Sequence, residues 1–327
     1  MLAVYDLTGR GPLKRSEMPA AEHAAGWIDL LSPTADEDRE AESYVGVAIP
    51  TREEAQEIET SSRFYIEDEA LFLNITVLVG LADGQPQLTP LSFVINDQRI
   101  ATVRYADSAA FRQFLHHAGR PMSGCASATG VLLHINEAII DRAADTVEKI
   151  GAEMDGINSE IFQRREKGGR MLVARERRLQ EAIERIAYQD DLVSKCRESL
   201  ISMERMLQFL SAREMDWHDI ERDRNRLKLM TRDIRSLVDQ LSFLSSKTSF
   251  LLDATLGLIS LDQNDVSRIL TIAATIMLPP TLIGTIYGMN FGSMPELEWD
   301  LGYPLAIGAM ILAGLVPYLI LKRRGWF

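Results

Sequence analysis

Cysteine is scarce. Two in 327 residues, Cys125 and Cys196, lie far apart and outside any metal-ligand spacing, so both are expected as reduced thiols. No nucleophile–base pair, phosphate-binding loop or metal-hydrolase motif occurs, which argues against an enzyme and against any organic cofactor. Basic residues are in deficit: 35 Lys and Arg against 47 Asp and Glu give a formal net charge of −12, the wrong sign for a nucleic-acid partner. The opening residues, MLAVYDLTGRGPLKRSE, lack the basic start, apolar run and small-residue cleavage site of a signal peptide. The front of the chain is therefore expected to stay in the cytoplasm. Proline is missing altogether between Pro121 and Pro279, so long helices are allowed there. Most informative is the absence of charge from two apolar stretches near the C-terminus, residues 269–286 and 301–321.

At about 1.5 Å per residue the first stretch covers roughly 27 Å and the second roughly 31 Å. A hydrocarbon core is about 30 Å thick, so each stretch is long enough to cross once. Pro279 and Pro280 in the first and Pro317 in the second are tolerable, because neighbouring helices resatisfy the backbone. Arg268 precedes the first stretch, and Lys322, Arg323 and Arg324 follow the second. The connecting segment, YGMNFGSMPELEWD, holds Glu296, Glu298 and Asp300 but no Lys or Arg. Basic residues stay on the cytoplasmic side, so both termini are expected inside and the acidic loop outside.

Upstream, residues 1–120 read as a cytoplasmic α/β domain. Strand patterns appear at 2–5, 27–31 and 70–79, and a hairpin of 91–96 and 99–105 turns at Asn96-Asp97. One helix opens at Ser32-Pro33; Thr51 with Glu54 forms a capping box for another; Asp107 and Ser108 start a third. His116-His117 reads as an exposed pair with no third ligand at helical spacing. Residues 121–212 read as long antiparallel helices, 131–167 and 171–210, broken at Gly168-Gly169.

From 213 to 290 the pattern is one stalk helix continuing into the first span, at about 266–287. Leu227, Met230, Ile234, Leu237, Leu241, Leu244, Thr248, Leu251, Thr255 and Leu258 alternate spacings of three and four. That regularity predicts a narrow seam against partner helices, with packing on the chain's own preceding helices as the alternative for part of it. An external loop, 291–302, and a second span with a basic tail, 303–327, complete the chain.

On a helical wheel Asn264, Ser267, Leu270, Thr271, Ala274, Leu278, Thr281 and Thr285 share an arc of about 120°. Taken alone, this small and hydroxyl-bearing stripe leaves helix packing and pore lining equally open. It holds no ionisable group beyond Arg268, which excludes a proton relay.

Tyr287-Gly288-Met289-Asn290, then Met294-Pro295-Glu296-Leu297 and Trp299, with Gly302-Tyr303-Pro304 opening the second span, resembles the CorA family of magnesium and cobalt transporters, within the two-span GxN superfamily. The resemblance is close over 264–327 and looser upstream, and Pro280 adds a second proline to the family pattern. It implies an α+β cytoplasmic domain whose long helices continue into a two-span α-helical membrane hairpin, five copies of which form a funnel. The cargo would be Mg2+, with Co2+ and Ni2+ alongside it, and the partners would be the chain itself and inner-membrane lipid. Gly288, Met289 and Asn290 would form the selectivity filter, and the stripe, with Tyr287, would line the pore. Asn264 would make a polar ring at its cytoplasmic end, and Leu270 and Leu278 an apolar gate. Glu296, Glu298 and Asp300 would concentrate cations at the mouth.

Family members also close when intracellular magnesium bridges carboxylates. Asp219, Asp223 and Asp233, or Glu67 to Glu69, are candidates here, each against the simpler reading of a solvated acid. Two alternatives compete: a zinc transporter of the ZntB branch, and a two-span coiled-coil sensor. The intact Met289 and the full Met-Pro-Glu-Leu run weigh against the first. A connecting loop too short for a ligand-binding domain weighs against the second.

Overall fold

The computed structural model describes residues 1–7, 15–16, 26–57, 59–97, 99–118, 127–162, 169–212, 218–289, 295 and 299–326. Two units divide it. The first comprises Met1–Arg164 and Ala182–Leu252, the second Arg165–Glu181 and Asp253–Phe327.

The first unit is built on a seven-stranded sheet of order β2-β1-β3-β7-β6-β5-β4. Its strands are β1 (Leu2–Asp6), β2 (Arg15–Ser16), β3 (Gly26–Leu31), β4 (Phe64–Glu67), β5 (Ala70–Val79), β6 (Gln87–Asn96) and β7 (Arg99–Arg104). β3 and β7 run parallel, with Ile28 opposite Ala101 and Leu30 opposite Val103; every other pair is antiparallel. The β6–β7 hairpin turns at Asn96-Asp97 as expected, with Asp97 at a positive φ of 53°. β6 starts four residues earlier than its sequence suggests. Pro90 has no N–H to give the ladder, and the N–H of Thr76, the residue opposite it, donates to Ser202 Oγ at 3.0 Å.

On one face of the sheet, α1 (Ala35–Val45) buries Ala41, Tyr44 and Val45 against Ile28, Leu30, Phe72, Val94 and Val103. Its cap is Thr34, two residues beyond the expected start. Thr34 Oγ1 accepts from the Glu37 N–H, and Glu37 reaches back to the Thr34 N–H. α2 (Arg52–Ala55) has the expected capping box of Thr51 and Glu54 but lasts a single turn, and α3 (Thr60–Arg63) leads into β4. The opposite face carries α4 (Ala109–Ala118), started by Ser108, whose Oγ accepts from the Phe111 N–H at 3.2 Å. A buried relay holds that side: Trp27 donates to Thr102, Thr102 to Asp29, and Arg104 grips Asp29 from Nε and Nη2.

Three long helices follow: α5 (Ala128–Ile161), α6 (Gly169–Ser211) and α7 (His218–Tyr287). α7 has 70 residues, roughly 105 Å of continuous helix. The seam expected to meet partner helices is occupied from within the chain. Leu227, Met230, Ile234, Leu241, Leu244, Thr248 and Leu251 are all buried. Thr248 Oγ1 faces Met154 of α5, and a Cβ on Gly151 would lie 4.0 Å from Leu244. Glu204 of α6 accepts from Arg235, and Asp155 of α5 from Lys247. The physical reason is proximity: helices tethered in one chain bury their apolar seams on each other before a second copy arrives. A second row, Leu229, Phe243 and Phe250, stays exposed on α7 at multiples of seven residues.

Candidate ion pathway

The final helix, α8 (Gly302–Arg323), packs on one side of the apolar end of α7. Half-covered residues on the apolar end of α7 are Ile272, Ile276, Pro279, Pro280, Ile283 and Gly284; on α8 they include Ala306, Met310, Ala313, Gly314, Pro317 and Tyr318. The approach is close at two glycines. A Cβ on Gly314 would stand 3.3 Å from the Pro280 ring and 3.5 Å from the Ile276 carbonyl. One on Gly284 would stand 3.3 Å from Met310 Cε. Small residues at such contacts let apolar helices associate where no hydrophobic drive exists.

This packing leaves the stripe open. Asn264, Ser267, Leu270, Thr271, Ala274, Leu278, Thr281 and Thr285 all stay exposed, as does Tyr287, and Leu270 and Leu278 are 66% and 65% accessible. α8 therefore does not use the stripe. The hydroxyl protons are spent within the helix: Thr271 donates to the Ser267 carbonyl, Thr281 to Met277 and Thr285 to Thr281, each at 2.7 to 2.8 Å. What these threonines present outward is acceptor oxygen, suited to water or a cation.

The far end of α7 tightens over Gly288, whose N–H reaches the Gly284 and Thr285 carbonyls at 3.0 and 3.2 Å, while Met289 donates to Ile286. A Cβ on Gly288 would sit 3.1 Å from the Gly284 oxygen, so a side chain there would crowd the turn. Met289 is 46% accessible. Asn290, Glu296 and Glu298 lie outside the described residues, and Asp300 is exposed beside Trp299.

At the other end, Arg268 donates to the Gly325 carbonyl at 2.8 Å and lies over the Trp326 ring. Arg175 of α6 reaches Asp262 at 3.0 Å, with both side chains largely covered. Neither pairing was foreseeable from helical spacing, since 57 and 87 residues separate the partners.

The profile of the CorA-like Mg2+ transporter proteins matches residues 22–323. The chain belongs to this family. It is 34% identical to the magnesium transport protein CorA of Escherichia coli (strain K12), over 92% of each chain. Against the protein of the same name from Pectobacterium atrosepticum it is 33% identical, over 93% of this chain and 92% of the relative. Its fold matches the complete structure of the CorA magnesium transporter from Methanocaldococcus jannaschii with a TM-score of 0.76, covering 100% of this chain and 99% of that one. Identity there is 18%, so the likeness is one of fold: an N-terminal α/β domain, long helices and two apolar C-terminal helices.

As to the acids considered for closure of this CorA-family chain, Asp219 and Asp223 fall on α7 where side chains are not described. Glu67 ends β4, and Asp68 and Glu69 form the turn to β5; all three are exposed. Asp233 is exposed on α7 and lies among acids of α5 that the sequence reading passed over. Burial raises the Asp141 carboxyl above its ordinary range, and Glu137, Asp145 and Asp233 add to the shift, while His117 opposes it. The α5 acids recur at i, i+4 and i+8; that spacing was available in the sequence, but their meeting with α7 was not.

Proposed function

We propose that the chain is a channel-like uptake system for divalent cations, chiefly Mg2+ and with it Co2+ and Ni2+, working as a homopentamer in the inner membrane with both termini in the cytoplasm. The observation that carries this reading is the open stripe from Asn264 to Thr285, left uncovered by α8 and leading to Gly288-Met289-Asn290. Five such stripes around an axis enclose an uncharged, acceptor-lined tunnel. The exposed row of Leu229, Phe243 and Phe250 gives neighbouring stalks an apolar surface to share.

Magnesium sheds its inner water shell reluctantly. A ring of Asn290 amide oxygens and Gly288 carbonyls holds the bound waters by hydrogen bonds instead of displacing them. Glu296, Glu298 and Asp300 raise the cation concentration at the mouth, and Leu270 and Leu278 close the tunnel by dewetting when the stalks approach. Transport is passive and inward, favoured by ~4.6 kcal/mol per divalent ion per 100 mV. Residues 1–120 and 121–212 form the cytoplasmic regulatory part, closed by intracellular Mg2+ between carboxylates such as Asp219, Asp223 and Asp233.

Flux into liposomes containing the purified protein tests this reading, with magnesium, cobalt, nickel and zinc compared with and without an imposed potential. Potential-driven magnesium entry is expected. Zinc entry that depends on a proton gradient, without magnesium entry, would move the chain to the zinc-transporting branch.

A further inference from the structure

Two contacts at the basic end of the apolar hairpin serve no step described above. Gly325, at a positive φ of 71°, turns the chain back on α8, with the Gly325 N–H bonded to Lys322 and the Trp326 N–H to Leu321. That turn delivers the Gly325 carbonyl and the Trp326 ring to Arg268 at the base of the first apolar stretch. One guanidinium nitrogen is occupied by the carbonyl; a guanidinium has five N–H donors, so others remain. Lys322, Arg323 and Arg324 share this end, and all are exposed. Among the described residues no carboxylate pairs with these four cations.

We infer that this clasp binds the phosphate of an anionic phospholipid. The inference rests on the membrane-spanning reading of the hairpin. Three things favour a lipid headgroup over a free anion. The cations stand at the ends of two apolar helices, where a bilayer's phosphates lie. Trp326 places an indole at the same level, as aromatic side chains do at membrane interfaces. Arg268, held by Gly325 and Trp326, presents a fixed donor fork that matches phosphate geometry.

The test uses the full-length protein in phosphatidylcholine vesicles with trace spin-labelled phosphatidylglycerol or phosphatidylcholine, read as the fraction of each label immobilised by protein. Phosphatidylglycerol should be preferred by about tenfold or more, and Arg268→Gln or Arg324→Gln should each lower that preference roughly fivefold. Arg268→Lys and Arg324→Lys keep most of it, and Arg177→Gln, at an exposed position on α6, leaves it unchanged. Equal immobilisation of the two lipids overturns the inference, as does a preference that survives both glutamine variants. Displacement by millimolar glycerol phosphate also overturns it, by showing a site for soluble anions. Failure of the membrane reading looks different, since neither label would be immobilised. A protein that passes no magnesium but keeps its lipid preference leaves the inference standing.

Discussion

Arg226 of α7 holds Glu137 of α5 through two hydrogen bonds, Nε to Oε1 at 3.0 Å and Nη2 to Oε2 at 2.8 Å. The pair flanks Leu227 and Met230 at the head of the buried seam, and marks that seam as belonging to one chain. Its energetic share is small, because the two side chains remain 29% and 36% accessible. Most of the stability lies in the apolar row beside it.

Leu241→Ala should therefore cost the folded chain about 2–5 kcal/mol, the range for emptying a buried leucine site. A double-mutant cycle on Glu137→Ala and Arg226→Ala should return a coupling of only about 0.5–1 kcal/mol. Unfolding of the detergent-solubilised protein measures both. A Leu241→Ala protein that dissociates into stable subunits would return the seam to the role of an intersubunit contact.

How much was legible follows from where each signal resides. β5 showed itself as ten residues dominated by apolar and β-branched side chains, and Thr51 with Glu54 carried its cap within four positions. The parallel pairing of β3 with β7 joins residues more than 70 apart, and no local pattern reports it. Periodicity disclosed the α7 seam but not its occupant, because a heptad row looks alike whether its partner is α5 or another copy. The stripe was visible for the same reason: its polarity follows the helical period. Which face α8 covers was not visible, since Gly314, Met310 and Pro280 read only as apolar.

The two close-approach glycines should respond differently to the same methyl group. At Gly314 the neighbours are a proline ring and a backbone carbonyl, neither able to yield without moving a helix. At Gly284 the neighbour is the flexible tip of Met310, which can rotate aside. Gly314→Ala should lower the thermal midpoint of the solubilised protein clearly more than Gly284→Ala, and Gly314→Val should prevent a stable hairpin. Equal responses would mean that α8 does not press on Pro280.

Burial pushes the Cys196 thiol up to about 12. The folded state holds the proton while the unfolded chain releases it at its ordinary value near 9.0. This group's contribution to stability is complete below that lower value and declines as pH climbs toward the higher one. In a Cys125→Ser background, a disulfide reagent at pH 8 should modify nothing until denaturant is added. Between pH 9 and 11, Cys196→Ala should flatten the fall in stability. Rapid native labelling would show that Cys196 is reached by solvent.

The filter and the gate make opposite predictions on one assay. Asn290→Ala removes the amide oxygens proposed to hold hydrated magnesium, while the subunit contacts assigned to the stalk lie far along the chain. Uptake should vanish, and the assembly should elute unchanged in size-exclusion chromatography with light scattering. Leu278→Asn wets the constriction assigned to an apolar gate, so flux should rise and persist at internal magnesium concentrations proposed to close the parent protein. Measuring both variants in one vesicle preparation separates the roles, since general damage lowers both fluxes and cannot raise the second. Parental flux in Asn290→Ala would remove Gly288-Met289-Asn290 as the filter. Unchanged closure in Leu278→Asn would move the gate elsewhere on α7.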